Sequence, residues 1–540
     1  MMHEPEGPFR SPIVGDLNLP PDGTSDKGPA SEAPQQRVPM LIELNVLYPG
    51  GLLAVREAFY GIWQSYAAMA GGRWPEQFTS ESPVQPPVPQ GLAPIAPKLY
   101  QCVLSRAVVR DLVAEDRSLA ERNHRPPTIF RVWPDYRLTP QIDRSAPTVK
   151  ANAAWRSYDA RGHGIVWAVV DSGIDASHPH FSQLELAAAG RGEDQLQGRT
   201  SQLHRDFSFL VNPDDPAETV GHGASDGPGD HTMQPLVDEN GHGTHVAGII
   251  SGCTPDDMKP LVAESNDPGE AGYVQRAHVD KLSGMAPACE LVSIKVMRRS
   301  RQGTWVTSSS AVIRALTYLR TEVNVDPGIL RVHGVNMSLG SEWRPDQYAA
   351  GQSPLCQAVN QLVASGVVVV VSAGNFGART ATGESANTSA VLGSITEPAH
   401  AEDCIAVGST HRDAPHAFGV TWTSGKGPTL DGRMKPDVVA PGEWISSAAT
   451  GQVRAAAGLT PVPGAPLPQS LLTYAEQSGT SMAAPHVSGV IAAFLSARPE
   501  FIGRPRQIKR LLTASATDLG RERYAQGAGL VDLMRMLANV

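Results

Sequence analysis

Residues 366–377 read GVVVVVSAGNFG. The five successive valines offer no polar alternation, so a strand built from them cannot turn either face to water; such runs belong to parallel strands covered by helices on both sides. Similar runs lie on either side in the chain: GIVWAVV from Gly164, LVSIKVM from Leu291, VHGVNMSL from Val332 and CIAVGS from Cys404. Helical patterns, among them HVAGIISG, SSSAVIRALTYLR and LCQAVNQLVASG, separate the runs. The alternation predicts an α/β domain with a doubly wound, mostly parallel sheet. Ligands of such sheets meet the carboxyl ends of the strands, which singles out two polar residues that end apolar runs, Asp171 and Asn375.

The rest of the chain supports a large folded core. Of its 540 residues 41% are hydrophobic and 18% charged, which excludes collagen-like, low-complexity and mostly disordered classes. Lys plus Arg number 45 against 54 Asp plus Glu, a formal net charge of −9, so nucleic acid is not expected as a partner. The five cysteines, Cys102, Cys253, Cys289, Cys356 and Cys404, are far apart and form no C-x-x-C pair, which argues against a disulfide framework or a Cys-type zinc site. The opening MMHEPEGPFRSPIVGD lacks the basic start and apolar stretch of a secretory signal, and no later segment has the ~18 unbroken apolar residues of a membrane span. Cytoplasmic residence without a membrane partner is the expectation.

Residues 1–39 are rich in Pro, Gly, Ser and charge and read as a tail that cannot offset its chain entropy by burial. From residue 40 to 145 strand and helix patterns alternate: MLIELNVLY, LLAVREAFYGIWQSYAAM, LYQCVLSR, AVVRDLVAEDRSL and a closing strand TIFRVWPDYRLT. They predict a small α+β domain. Arg56, Glu57 and Gln64 interrupt its first helical stripe, which reads as core rather than membrane anchor. Residues 146–540 form the large domain, with insertions near 204–240, 253–283 and 453–475.

Three segments carry reactive groups: VVDSGIDASHP around Asp171, NGHGTHVAGIISG around His242 and SGTSMAAPHVSG around Ser481. A serine hydroxyl is a poor nucleophile until an imidazole takes its proton, and the imidazole needs a carboxylate to hold its tautomer. Ser481, His242 and Asp171 can fill these roles as nucleophile, base and orienter. Ser481 opens a buried helix in which Pro485 is tolerable only near the first turn, so its hydroxyl stands where helix N–H groups favour developing negative charge. Asn375 can donate its side-chain N–H to an oxyanion, together with the backbone N–H of Ser481. The stretch NMSLG, Asn336–Gly340, ends another strand and can pair with an extended peptide. Because an imidazole base must be neutral, the rate should fall as pH drops through the ordinary imidazole range near about 6.5.

These motifs resemble the subtilisin-like serine peptidases, whose chain order is also Asp, His, Ser. The resemblance extends to APTVKANAAW, GMAPACELVSIKVM, the NMSLG and SAGN segments, GRMKPDVVAPG and the closing YAQGAGLVDL, covering about 146–540. It implies peptide-bond hydrolysis through an acyl-enzyme without a cofactor for the chemistry, with a protein or peptide as substrate. It further implies that Ser338, Leu339, Gly340, Ala373 and Gly374 line the primary specificity pocket and bind substrate backbone. The N-terminal domain is similar to the family's propeptide, an intramolecular inhibitory unit that chaperones folding and lies in the cleft as a product-like strand. Many relatives carry a calcium-ligating Asp after the Ser-His-Pro that stands here at 177–179; here the position is His180. An imidazole is a poor partner for a hard cation, so structural calcium is not expected at that position.

Blander roles are expected elsewhere. His245 and His486 fall on apolar helix faces and read as packing residues, and His222 and His231 sit among Asp226, Asp230 and Asp238 in an acidic loop without metal-site spacing. No metal is assigned. Two other functions fit the same fold: a latent peptide-binding scaffold with a blocked cleft, and a peptide ligase or macrocyclase using the same site.

Overall fold

The computed structural model describes residues 37–70, 88–134, 137–140, 147–184, 186, 200–211, 234–265, 273–277, 281–326, 328–341, 349–380, 388–458 and 472–540. The stretch 1–36 of the expected tail, His222 and His231 with Asp226 and Asp230, and 459–471 within the third insertion lie outside the described residues. The described residues fall into two compact units, one before and one after residues 135–136.

In the first unit the strand Arg37–Leu44 pairs antiparallel with Leu99–Ser105 on one side and Ile129–Pro134 on the other, and Ala93–Ala96 adds an edge. Helices Gly51–Trp63 and Arg106–Arg122 supply the apolar faces that, with the sheet, enclose Phe59, Trp63 and Tyr100. The stripe interrupted by Arg56 is core: the Arg56 side chain is itself buried and donates to the Pro97 carbonyl at 2.6 Å. Asp116, buried on the second helix, accepts from Thr128 N, Thr128 Oγ1 and Ile129 N at 2.8–2.9 Å and so fixes the start of the last strand.

The second unit is built on a seven-stranded sheet. In spatial order its strands are Val438–Glu443, Ile405–His411, Val368–Ser372, Gly334–Met337, Val166–Asp171, Glu290–Lys295 and Arg205–Asp206, all parallel to their neighbours. Every residue of Val166–Asp171 and of Val368–Ser372 is buried, as unalternating runs require. The chain starts at Val166–Asp171, passes to the edge strand Arg205–Asp206, returns to place Glu290–Lys295 between the two, then crosses to Gly334–Met337 and builds outward on the other side. The order therefore reverses between Val166–Asp171 and Gly334–Met337, which is where open α/β sheets form crevices. Asp171 ends one of them and Ser338 follows the other.

The helix Thr480–Ala497 is buried from Thr480 to Leu495 and packs across the sheet and against the helix His242–Ile250. By length and composition it could cross a bilayer, but 89% of that stretch is buried within the protein, because its apolar surface covers the sheet. Pro485 lies inside this helix, beyond the first turn expected for it. Its missing N–H leaves the Ser481 carbonyl without its helical partner. Ser338 Oγ donates to that carbonyl at 2.6 Å instead, which removes the objection to a proline there.

The stretch read as one closing strand, TIFRVWPDYRLT, divides. Ile129–Pro134 stays in the first unit, whereas Arg137–Pro140 lies antiparallel between Trp305–Ser308 and Leu339–Gly340 of the second. Inside the insertion at 253–283, Leu261–Ser265 and Tyr273–Ala277 pair with each other, and the former also pairs with Tyr474–Gln477.

Candidate active site

His242 is the first residue of its helix, after Gly241 at a φ of +95°. A β-carbon on Gly241 would collide with the Thr450 carbonyl oxygen, so the turn that aims His242 requires glycine. His242 Nδ1 lies 2.7 Å from Asp171 Oδ1, with both side chains buried, and Asp171 Oδ1 also accepts from Ser172 N at 2.8 Å. A carboxylate so placed holds the imidazole proton on Nδ1 and leaves Nε2 as the basic nitrogen.

A second carboxylate locks this corner. Asp238 accepts from Ser172 Oγ and Gly241 N through one oxygen and from Thr244 N and Oγ1 through the other, all at 2.7–2.9 Å. Ser172 Oγ in turn accepts from Gly243 N at 2.9 Å. Burial pushes the Asp238 carboxyl above its ordinary range, although these hydrogen bonds oppose the shift. The sequence reading leaves Asp238 in an acidic loop. The signal that could have found it is an acidic residue just before a helix start, where it satisfies first-turn N–H groups.

Ser481 is the second residue of its helix and is buried; its Oγ donates to the Ser338 carbonyl at 3.1 Å. With the bond from Ser338 Oγ to the Ser481 carbonyl, the two serines are tied twice. Asn336 Nδ2 donates to Ser338 Oγ at 2.9 Å and Ser488 Oγ donates to Asn336 Oδ1 at 2.9 Å, completing a relay from strand to helix. Gly479 provides no side-chain cap to this helix, and the Ser481 N–H lies in its first turn, where an N–H can serve a ligand.

Asn375 stands just past the end of Val368–Ser372. Its Oδ1 accepts from Thr480 N at 2.9 Å and Thr480 Oγ1 at 3.1 Å, which fixes the amide orientation and leaves Nδ2 as a donor next to the start of the Ser481 helix. Thr480 Oγ1 accepts from Gly374 N at 3.1 Å, so the 373–375 segment and the helix start move as one piece. Leu339 and Gly340 form a short strand after Ser338, paired with Thr139 and Pro140.

His245 and His486 are buried and bonded to main-chain carbonyls, Ala475 at 3.0 Å and Met482 at 2.7 Å respectively. Burial drives the His486 imidazole down to about 3, so it packs as a neutral ring. His180 offers a cation nothing: its Nε2 lies 3.1 Å from the Gly248 carbonyl and its Nδ1 3.2 Å from the Tyr474 hydroxyl, and burial lowers its pKa to about 3. Calcium does not fit this position. Among the described residues, no group of three His, Cys, Asp or Glu side chains could hold a metal ion.

Residues 162–530 match the subtilase family, a span that starts before the Asp171 strand and closes after the Ser481 helix. The chain belongs to the subtilase family of serine peptidases. It is 31% identical over 310 residues to M-protease of Shouchella clausii and to Subtilisin Savinase of Lederbergia lenta, matches that cover 57% of this chain. They span 57% of M-protease and 81% of Savinase. Pyrolysin of Pyrococcus furiosus is 30% identical over 344 residues, covering 55% of this chain and 21% of pyrolysin.

Proposed function

We propose that this subtilase is an endopeptidase that hydrolyses proteins or peptides through an acyl-enzyme formed on Ser481. The hydroxyl turns from the Ser338 carbonyl towards His242 Nε2, gives up its proton there and attacks the substrate carbonyl carbon. Asp171 keeps the imidazole oriented and stabilises its charged form. The oxyanion is received by Asn375 Nδ2 and the Ser481 N–H. Collapse of the tetrahedral species transfers the His242 proton to the leaving amine, and water repeats the sequence on the ester. Ser338, Leu339, Gly340, Ala373 and Gly374 bind substrate backbone. The chemistry calls for no cofactor. The observation that carries this reading is the 2.7 Å contact between buried Asp171 and His242 at the sheet's switch point. The test is covalent labelling by a fluorophosphonate together with casein cleavage: both should vanish in Ser481→Ala, and a fully active Ser481→Ala would refute the assignment.

The N-terminal unit acts, in the same reading, as an intramolecular inhibitor. What supports it is the segment that follows this unit in the chain, Arg137–Pro140, which runs antiparallel between Trp305–Ser308 and Leu339–Gly340 as an added strand does in peptide recognition. Mass spectrometry of the chain's own N-terminus checks it: the wild type should shed the unit on incubation while Ser481→Ala stays whole. Five cysteines, none in a disulfide, support residence in a reducing compartment. His180 stands where the resemblance puts a calcium ligand, so calcium should add no stability through that position, whereas Asp and Asn of the insertions offer another site.

A further inference from the structure

The short helix Gly451–Gly458, which leads into the third insertion, starts flush against the loop that aims His242. Two of its first-turn N–H groups are taken up there: Gln452 N donates to the Glu239 carbonyl at 2.9 Å and Val453 N to the Asn240 carbonyl at 3.0 Å. A β-carbon on Gly451 would stand 2.2 Å from the Glu239 carbonyl oxygen, and one on Gly241 would stand 2.1 Å from the Thr450 carbonyl oxygen. Thr450 Oγ1 donates to Asp175 Oδ2 at 2.8 Å, and His242 N donates to Asn240 Oδ1 at 3.1 Å. The helix start and the His242 loop therefore form one piece.

From that piece the Gln452 side chain reaches Trp305, whose Nε1 donates to Gln452 Oε1 at 2.9 Å. The Trp305 side chain is buried and Nε1–H is its one donor, so this bond satisfies a group that is costly to leave unpaired. Trp305 opens the strand Trp305–Ser308, in which Thr307 and Ser308 pair with Leu138 and Arg137. Further along the same added strand, Thr139 pairs with Gly340 and Pro140 with Leu339, next to the Ser338 that is bonded twice to Ser481. An extended chain in this groove thus meets the Trp305 strand several residues before it reaches Ser481.

We infer that Gln452 is a positioning residue that couples the upstream part of a substrate to the catalytic base. A peptide long enough to pair with Trp305–Ser308 fixes Trp305, Trp305 holds Gln452, and the helix start holds the loop from Glu239 to His242. Binding far from the reacting bond then orders the base, which raises kcat instead of only lowering KM. A peptide too short to reach the strand leaves the coupling idle. The inference rests on the peptidase reading of Ser481 and His242 and deepens it.

The experiment compares two peptides with the same scissile bond, one with two residues before it and one with six. Each is assayed with the full chain as wild type, Gln452→Ala, Gln452→Glu, Trp305→Phe and the Gln452→Ala, Trp305→Phe double variant, with rates taken per site labelled by fluorophosphonate. Gln452 is exposed, so its replacement opens no cavity. In wild type kcat should be higher for the long peptide. Gln452→Ala and Trp305→Phe should each lower the long-peptide kcat about fivefold, as the loss of one hydrogen bond does, and the short-peptide kcat less than about twofold. The double variant should be no worse than either single one. Gln452→Glu, whose carboxylate still accepts from the indole, should keep the wild-type rate on the long peptide. Equal kcat for the two peptides in wild type, a Gln452→Ala loss that is absent or the same for both lengths, additive losses in the double variant, or a Gln452→Glu as slow as Gln452→Ala overturns the coupling and leaves the peptidase reading intact. Absence of both labelling and cleavage in wild type removes the peptidase reading and the coupling with it.

Discussion

Around His242 the hydrogen bonds end on carboxylates, with Asp171 receiving the imidazole and Asp238 gathering Ser172, Gly241 and Thr244. Around Ser481 they end on neutral groups, passing from Ser488 through Asn336 and Ser338 to the Ser481 main chain. Under the proposed mechanism the contrast follows from the role of each corner. An imidazole that becomes charged during the reaction needs fixed negative charge, and buried carboxylates persist only when several donors satisfy them. A hydroxyl that must ionise beside an oxyanion would be opposed by such charge, so its setting is neutral and rich in N–H groups. Removing a group from the charged corner should therefore cost more than removing one from the neutral corner.

The largest effect is expected for Asp171→Asn, which keeps shape but reverses the hydrogen-bond polarity towards His242 Nδ1: kcat should fall about 10⁴-fold with folding retained, read by steady-state kinetics and circular dichroism. Asp238→Ala comes next. It strands four donors, and urea unfolding should show a loss of about 3 kcal/mol or more, accompanied by lower kcat as the Asp171 and His242 elements lose their common anchor. An Asp238→Ala protein as stable as wild type would erase the distinction between the corners.

A pH series probes the helix that carries Ser481. Burial holds His486 at about 3, so it is neutral in the folded chain, while the unfolded chain takes up a proton below about 6.5. Its contribution is fully present above pH 6.5 and is lost as pH falls from there towards 3. Unfolding free energy measured between pH 5.5 and 4.5 should be less steep in His486→Gln than in wild type by about 1.4 kcal/mol per pH unit. The smallest effect is expected for Ser488→Ala, which removes one neutral hydrogen bond to Asn336: about 1 kcal/mol of stability and a small change in kcat. A Ser488→Ala loss as large as that of Asp238→Ala would refute the ranking.

The sheet was legible because Val166–Asp171 and Val368–Ser372 advertise burial on both faces in their own composition. The candidate reactive groups were legible because each sits in a short segment whose glycines and small residues are local signals. Asp238 was not read, since its four donors come from Ser172 and from the helix that starts after it, and nothing in an acidic loop announces which carboxylate will be buried. Pro485 was expected nearer the helix start; the Ser338 hydroxyl that replaces its missing donor comes from 143 residues away. The single strand read across Pro134 to Arg137 divides because its two halves find different partners, a matter of pairing that periodicity does not encode.

Residue chemistry and period alone determined the class of fold, the kinds of group available for catalysis and their order along the chain, since these depend on neighbours within a few positions. Only the tertiary structure decided that Arg137–Pro140 lies between two strands of the larger unit, that Asp238 binds the imidazole corner together, and that Gln452 meets Trp305. Each of these is a contact between distant parts of the chain, and its energy exists only after both partners have been ordered.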